Sequence, residues 1–429
     1  MRTADMLERP SPSASLWPAI LAVCLLLTSC GIVGLRKQVE TLESRGGVTV
    51  RLDPPPPRGS APTYALAWRM ENGARKDSVG FQEVRADGIA SFNLNIDSAY
   101  HVGAFTDENN NRAYDAGEPL DFVKDIRPIS LAKPNVKPMV WQLTLRRDHN
   151  VAPGTVIHIP KDNKELGGKT NVALGDVASL EEQRFAPEAG GSGLWRPLDF
   201  LSTNTLGIYF TEPYDPKRIP VLFVYGIGGS PQDWRYFIDH FDRQKYQLWF
   251  YHYPSGMRLD RVSAVLALGL RSLKERHGFS KCYVVAHSMG GLVSRTALCS
   301  AVADEGVNFI PKFVSISTPW GGHKAAESGI RHLKKPVPSW LDVAPGSDFL
   351  VRLYATPLPK GTTHHLVYGS IKDGPFWMNQ ENDGVVTVES ETDLRIKEST
   401  HSFKHLVREH VEILNQQETL DWVEAALSR

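Results

Sequence analysis

The chain has 429 residues, 41% of them hydrophobic and 22% charged, with 48 basic side chains against 48 acidic ones. Disordered and collagen-like chains are excluded by that composition, and a formal net charge of zero argues against nucleic-acid binding as the main role. At ~100–200 residues per domain the length suggests two or three domains. Four cysteines are too few to scaffold a chain of this size, so packed cores must supply its stability.

The run WPAILAVCLLLT from Trp17 to Thr28 is about twelve apolar residues, short of the ~20 that a spanning helix needs. It reads as the core of a signal peptide over residues 1–29. It ends in Leu27-Thr28-Ser29-Cys30-Gly31, which resembles the bacterial lipobox: an aliphatic residue, two small residues, then the cysteine that takes the diacylglyceryl group. The resemblance implies that Cys30 becomes a lipidated mature N-terminus, anchored in the cell envelope by its acyl chains. Gly31, where aspartate is associated with inner-membrane retention, favours the outer membrane. Arg2 and Arg9 are offset by Asp5 and Glu8, and Met6 is an alternative start. The competing reading is a short membrane anchor with an incidental cysteine. Without Cys24 and Cys30, Cys282 and Cys299 remain, as small core residues or as a disulfide.

Over residues 31–150, short alternating runs such as TYALAWRM, SVGFQEVR and AYHVGAF lie between Pro, Gly, Asn and Asp, which predicts an all-β, sandwich-like domain. Counting from Asp107, the residues Asp107, Asn109, Asn111, Asp115 and Glu118 fall at loop positions 1, 3, 5, 9 and 12, the spacing of a Ca²⁺-binding EF-hand loop. Arg112 stands where that loop has glycine, and its flanks read as strands. The alternative is an Asn- and Asp-rich hairpin whose side chains bond their own backbone. Residues 151–202, with EAGGSG, read as a linker or an extended wrap.

From 203 to 429 the period changes. PVLFVYG (220–226), YQLWFYHY (246–253), CYVVAHS (282–288), KFVSIST (312–318) and HHLVYGS (364–370) read as buried strands. Helices are expected from Arg261 to Arg276, Gly290 to Ala303 and Glu418 to Leu427. Such alternation argues for a parallel sheet with crossover helices. Ala286-His287-Ser288-Met289-Gly290 then puts a serine on the turn between strand and helix, with small residues two positions to either side.

That stretch resembles the nucleophile elbow of the α/β-hydrolases, with Ala286 for the usual first glycine. PVLFVYGIGGS resembles the lipase strand that ends in His-Gly-x-x-Gly, with Tyr225 in place of histidine. The resemblance implies an oxyanion hole from the backbone N–H groups of Ile227 and Met289. Glu381-Asn382-Asp383-Gly384-Val385-Val386 resembles the segment carrying the family's acid, which favours Asp383 over Asp373 and Asp393. The stretch beginning at His410 resembles the family's ending, which favours His410 as the base, with His405 and His401 nearby and His405 in reserve. An insertion near 321–363 would cap the site, with Trp320, Trp340, Phe349, Leu350 and Tyr354 either lining it for an acyl chain or packing as ordinary core.

The chain is therefore identified as resembling bacterial lipases and lipid-remodelling hydrolases over its last 220 residues or so. The resemblance implies a serine hydrolase of carboxylic esters, of lipid acyl esters in particular, that needs no cofactor. Acyl transfer to a second alcohol uses the same machinery, and a non-catalytic surface-anchored binding protein is the remaining alternative.

Overall fold

The computed structural model describes Gln38 and residues 45–57, 59–72, 74–85, 88–95, 98–124, 127–128, 139–148, 157–159, 172–303, 308–333, 335–372, 374 and 378–429. The signal-peptide core, the lipobox with Cys30, and Asp373 lie outside the described residues. Among the described residues no helix is long and apolar enough to cross a membrane.

Two sheets make up the N-terminal part. In the first, β1 (Arg45–Leu52) pairs antiparallel with β4 (Ile89–Asn95) and parallel with β8 (Met139–Leu143). In the second, β2 (Thr63–Glu71) lies between β3 (Ala74–Glu83) and β5 (Ala99–Thr106), and β6 (Leu120–Phe122) and β7 (Arg127–Pro128) add to β5. Period-two alternation turns Val48, Val50 and Leu52 of β1 toward Ala65 and Ala67 of β2 and Val102 of β5, so one apolar cluster is filled from both sheets. The other face of the second sheet is also covered. Leu66, Trp68 and Phe105 pack there with Ile157 and Ile159.

The C-terminal part is built on one eight-stranded sheet in the order β16-β15-β14-β13-β11-β12-β10-β9. Its members are β9 (Ala173–Val177), β10 (Gly207–Phe210), β11 (Ile219–Val224), β12 (Tyr246–His252), β13 (Tyr283–His287), β14 (Lys312–Ile316), β15 (Thr363–Gly369) and β16 (Ser402–Leu406). Every pairing from β12 through β11 to β16 is parallel, and β10 runs antiparallel to β12. Strands covered on both faces read as continuous apolar runs, which is why these central ones were legible. The helices are α1 (Pro187–Trp195), α2 (Pro197–Thr203), α3 (Arg235–His240), α4 (Leu259–His277), α5 (Met289–Ala303), α6 (Lys324–His332), α7 (Pro338–Val343), α8 (Asp348–Ala355), α9 (Val388–Glu391), α10 (Leu394–Lys397) and α11 (Gln417–Ser428). Helix α4 buries Leu259, Val262, Leu266, Leu270 and Leu273, a stripe at helical spacing that packs into the same core as the sheet.

The stretch 151–202, read from sequence as a linker or wrap, carries β9, α1 and most of α2. β9 extends the sheet beyond β10, and α1 brings its Gly190 against the backbone of Gly228 and Gly229. The EAGGSG cluster is thus helical because tertiary contact requires bare positions there, a demand that overrides the weak helix propensity of glycine.

Candidate active site

Strand β13 is buried throughout and ends at a turn where Ser288 adopts φ 54°, after which α5 begins at Met289. Left-handed backbone is strained for a residue with a Cβ, and it lifts the serine out of the strand direction. Neighbouring backbone closes around it. A Cβ on Gly290 would come within 2.4 Å of the Tyr225 carbonyl oxygen, and a Cβ on Gly226 would meet the Ser288 Cβ at 2.6 Å. The bare positions in the motif are therefore steric requirements of the turn.

Ser288 Oγ lies 2.9 Å from His410 Nε2, and His410 Nδ1 lies 2.5 Å from Asp383 Oδ2. A carboxylate can only accept, so the ring proton belongs on Nδ1 and Nε2 is left to accept from the serine hydroxyl. Asp383 is buried, and its Oδ1 accepts from the N–H groups of Val385 at 3.0 Å and Val386 at 2.7 Å. Burial pushes its carboxyl up, but His410 and these two N–H groups together hold it below the ordinary aspartate value. The backbone of the two residues is tied as well, since His410 N donates to the Asp383 carbonyl at 2.9 Å.

The structure thus brings together Ser288, Asp383 and His410. His405 sits on β16 with Nε2 2.7 Å from Ser370 Oγ, and Asp393 accepts from Arg395 while capping α10. His287 was not singled out by sequence reasoning. Its Nε2–H donates to the His410 carbonyl at 2.8 Å, and burial, followed by the nearby His410, pushes it down to about 3, so it is neutral. Adjacency to Ser288 was its only sequence signal.

The loop that carries Ile227 packs on the elbow through Gly226, and Gly228 N donates to Ser255 Oγ at 2.9 Å. Met289 N is among the first N–H groups of α5, which have no intrahelical acceptor. Tyr225, standing where the resembled lipases have histidine, supports the loop by a different route. Its hydroxyl donates to the Tyr253 carbonyl at 2.5 Å and accepts from Tyr253 N at 2.6 Å, and the Tyr253 hydroxyl donates to the Tyr225 carbonyl at 2.7 Å. The two rings stack at 4.7 Å.

Packing bears on two points where the sequence left alternatives open. Trp320, Phe349 and Leu350 are buried in the main core, with Trp340 and Tyr354 packed against it, so these residues serve helix packing rather than an open lining. The insertion is also tied down: the buried Asp342 accepts from Arg258 Nε at 2.9 Å and from Leu259 N at 2.7 Å. The second point concerns the Asp107 loop. Asn111 N and Arg112 N donate to Asp107, Glu108 N and Asp115 N donate to Glu118, and the Asn109 and Asn111 amides donate to Asp115. These bonds hold the loop by its own backbone, as the hairpin alternative requires. Cys282 and Cys299 are both free thiols.

Residues 219–351, from β11 through the elbow to α8, match a family model described as alpha/beta hydrolase fold. The C-terminal part has the α/β-hydrolase fold. The mature form of lipase BlEst2 from Bacillus licheniformis is similar at 21% identity over 51% of this chain and 97% of its own, with a TM-score of 0.42. The product of gene lin2722 from Listeria innocua is similar at 17% identity over 49% of this chain and 94% of its own, with a TM-score of 0.38. A carboxylesterase structure from the ammonia-oxidizing thaumarchaeon Nitrososphaera gargenis is similar at 16% identity over 53% and 96%, with a TM-score of 0.34. No curated protein matches the chain. In this C-terminal part Ser288 occupies the turn between β13 and α5, at the carboxyl end of the parallel strands where such folds place their sites.

Proposed function

We propose that the protein is a serine hydrolase of carboxylic esters, acting through Ser288, His410 and Asp383. The observation that carries this reading is the continuous hydrogen-bonded series from Ser288 Oγ through His410 to Asp383, beginning at a serine with φ 54°. His410 takes the hydroxyl proton as Ser288 attacks the ester carbonyl, and Asp383 fixes the tautomer and stabilises the imidazolium. The N–H groups of Ile227 and Met289 receive the oxyanion. His410 then passes the proton to the leaving alcohol, and water repeats the sequence on the acyl-enzyme to free the acid.

Exposed aliphatic side chains on the segments that form the site support lipid acyl esters as the substrate class. Ile227, Val385 and Val411 are 37%, 42% and 55% exposed; Ile227 lies on the loop after β11, Val385 N donates to Asp383, and Val411 follows His410. Exposed aliphatic groups suit a hydrocarbon chain better than a polar substrate. Lipidation at Cys30, supported by the Leu27–Gly31 stretch, would hold the hydrolase domain at the bacterial envelope next to such substrates.

The test is hydrolysis of p-nitrophenyl esters from acetate to palmitate, with fluorophosphonate labelling of the protein and of Ser288→Ala read by mass spectrometry. Labelling at Ser288 with preference for long chains supports the full reading. Turnover confined to short chains overturns the lipid assignment, and an unlabelled, inactive, folded protein overturns the hydrolase. Mass spectrometry of the mature N-terminus, compared with Cys30→Ser, tests the anchor.

A further inference from the structure

The loop that carries Asp383 folds back on itself. Asn382 bridges both Ile371 and Thr387, Val388 N donates to the Glu381 carbonyl at 2.8 Å, and Thr387 caps the short helix α9. The last residue of that helix, Glu391, returns to the site. It is 1% exposed, and single polar atoms of Glu391, Asp383 and His410 all lie within 4.8 Å of one another. Also buried there is Ser317 at the end of β14, a second non-glycine residue in left-handed backbone, with φ 47°.

The groups that face Glu391 are Asp383 and His410 on the loops, Ser317 beyond β14, and Tyr368 and the Gly369 N–H on β15. No lysine or arginine pairs with it among the described residues. As a carboxylate its two oxygens accept no well-aligned hydrogen bond, whereas the Asp383 oxygens already receive two backbone N–H groups and the imidazole. Two carboxyl groups sharing one buried site do not both ionise, and the better-solvated one keeps the charge. Burial, and next the charge on Asp383, push Glu391 well above the ordinary glutamate value.

A cation is not the explanation of this cluster. Both nitrogens of His410 are engaged: Nδ1 carries the proton given to Asp383, and the one lone pair, on Nε2, accepts from Ser288.

We propose that Glu391 is a positioning residue for the triad, a neutral carboxylic acid whose O–H donates to the Asp383 carboxylate and holds it toward His410. This rests on reading Ser288, His410 and Asp383 as the catalytic triad. One proton kept on Glu391 leaves a single negative charge behind the imidazole.

The test compares Glu391→Gln, a neutral near-isostere that retains a donor, with Glu391→Ala. The glutamine variant is expected to keep kcat within about threefold and to leave the acid limb of the kcat/KM profile in place, whereas alanine lowers kcat roughly 10- to 100-fold at unchanged KM. An acid limb that moves to lower pH in Glu391→Gln would show that a negative charge had been removed, and would overturn the proposal. So would an alanine variant with wild-type kcat. Infrared spectra of the folded protein at neutral pH give a readout independent of turnover. A protonated-carboxyl band present in the wild type and absent from Glu391→Gln is expected, and its absence from the wild type overturns the proposal. Fluorophosphonate labelling of wild-type Ser288 tests the triad itself, so the two failures are distinguishable.

Discussion

A Cβ placed on Gly226 would lie 2.6 Å from the Cβ of Ser288, so the loop after β11 and the elbow after β13 meet with no room for a side chain between them. The contact ties the loop bearing Ile227 to the turn bearing Ser288. Gly226→Ala must push the two loops apart, and it is expected to cost roughly 1–3 kcal/mol of stability and about 10²-fold in kcat. Urea unfolding and ester turnover, measured together, check this; a variant with wild-type values in both would refute the close approach.

The left-handed backbone at Ser288 separates stability from activity. Ser288→Gly relieves the clash of a Cβ with its own carbonyl and is expected to be more stable than Ser288→Ala by ~0.5–1 kcal/mol. Both variants should lose turnover by at least about 10⁴-fold. Equal unfolding midpoints for glycine and alanine would argue that the turn is not strained.

Tyr225 and Tyr253 hold the loop after β11 by reciprocal bonds in a buried place. Tyr225→Phe removes the acceptor of Tyr253 N and the donor to its carbonyl, leaving two buried backbone groups unsatisfied. The expected loss is about 1–3 kcal/mol, with kcat falling more than KM rises because the loop bearing Ile227 loosens. Wild-type kcat in a measurably destabilised variant would separate the tyrosine pair from the oxyanion hole.

Acid should weaken the fold through buried neutral histidines. Burial pushes His252 and His287 down to about 3 each, with Arg184 adding to the effect at the first and His410 at the second. An unfolded histidine takes up its proton near pH ~6.5, so the unfolded state binds more protons below that value. The stabilisation is therefore complete above about pH 6.5 and declines as pH falls toward about 3. Urea midpoints measured stepwise between pH 8 and pH 4 should drop across this window. The drop should be shallower in His287→Gln, and a flat wild-type profile would contradict neutral burial.

Much of the C-terminal part was legible residue by residue. β11 through β15 are covered on both faces, and burial of that kind leaves unbroken apolar runs in the chain. The elbow was legible because its sterics are local: the left-handed Ser288 and the bare Gly290 lie within one turn of each other. β9, β10 and β16 left weaker marks. They are short and lie at the ends of the sheet, and β16 alternates exposed with covered residues.

Other features belonged to the tertiary structure alone. The stretch beginning at His410 favoured that histidine in the sequence, but its contact with Ser288, which spans 122 residues, is a property of the fold. Trp320, Phe349 and Leu350 have the composition of a lining or of a core, and only their neighbours assign them to the core. Likewise the Asp107 loop has the spacing of a cation site, and only the fold shows its carboxylates accepting from the loop's own N–H groups. Glu391 looks like any acidic residue on a short helix until the loop returns it to Asp383. Strand burial and turn sterics act between near neighbours and so are written into local pattern. The pairing of side chains across the fold depends on where the whole chain has gone, and only the assembled core determines that.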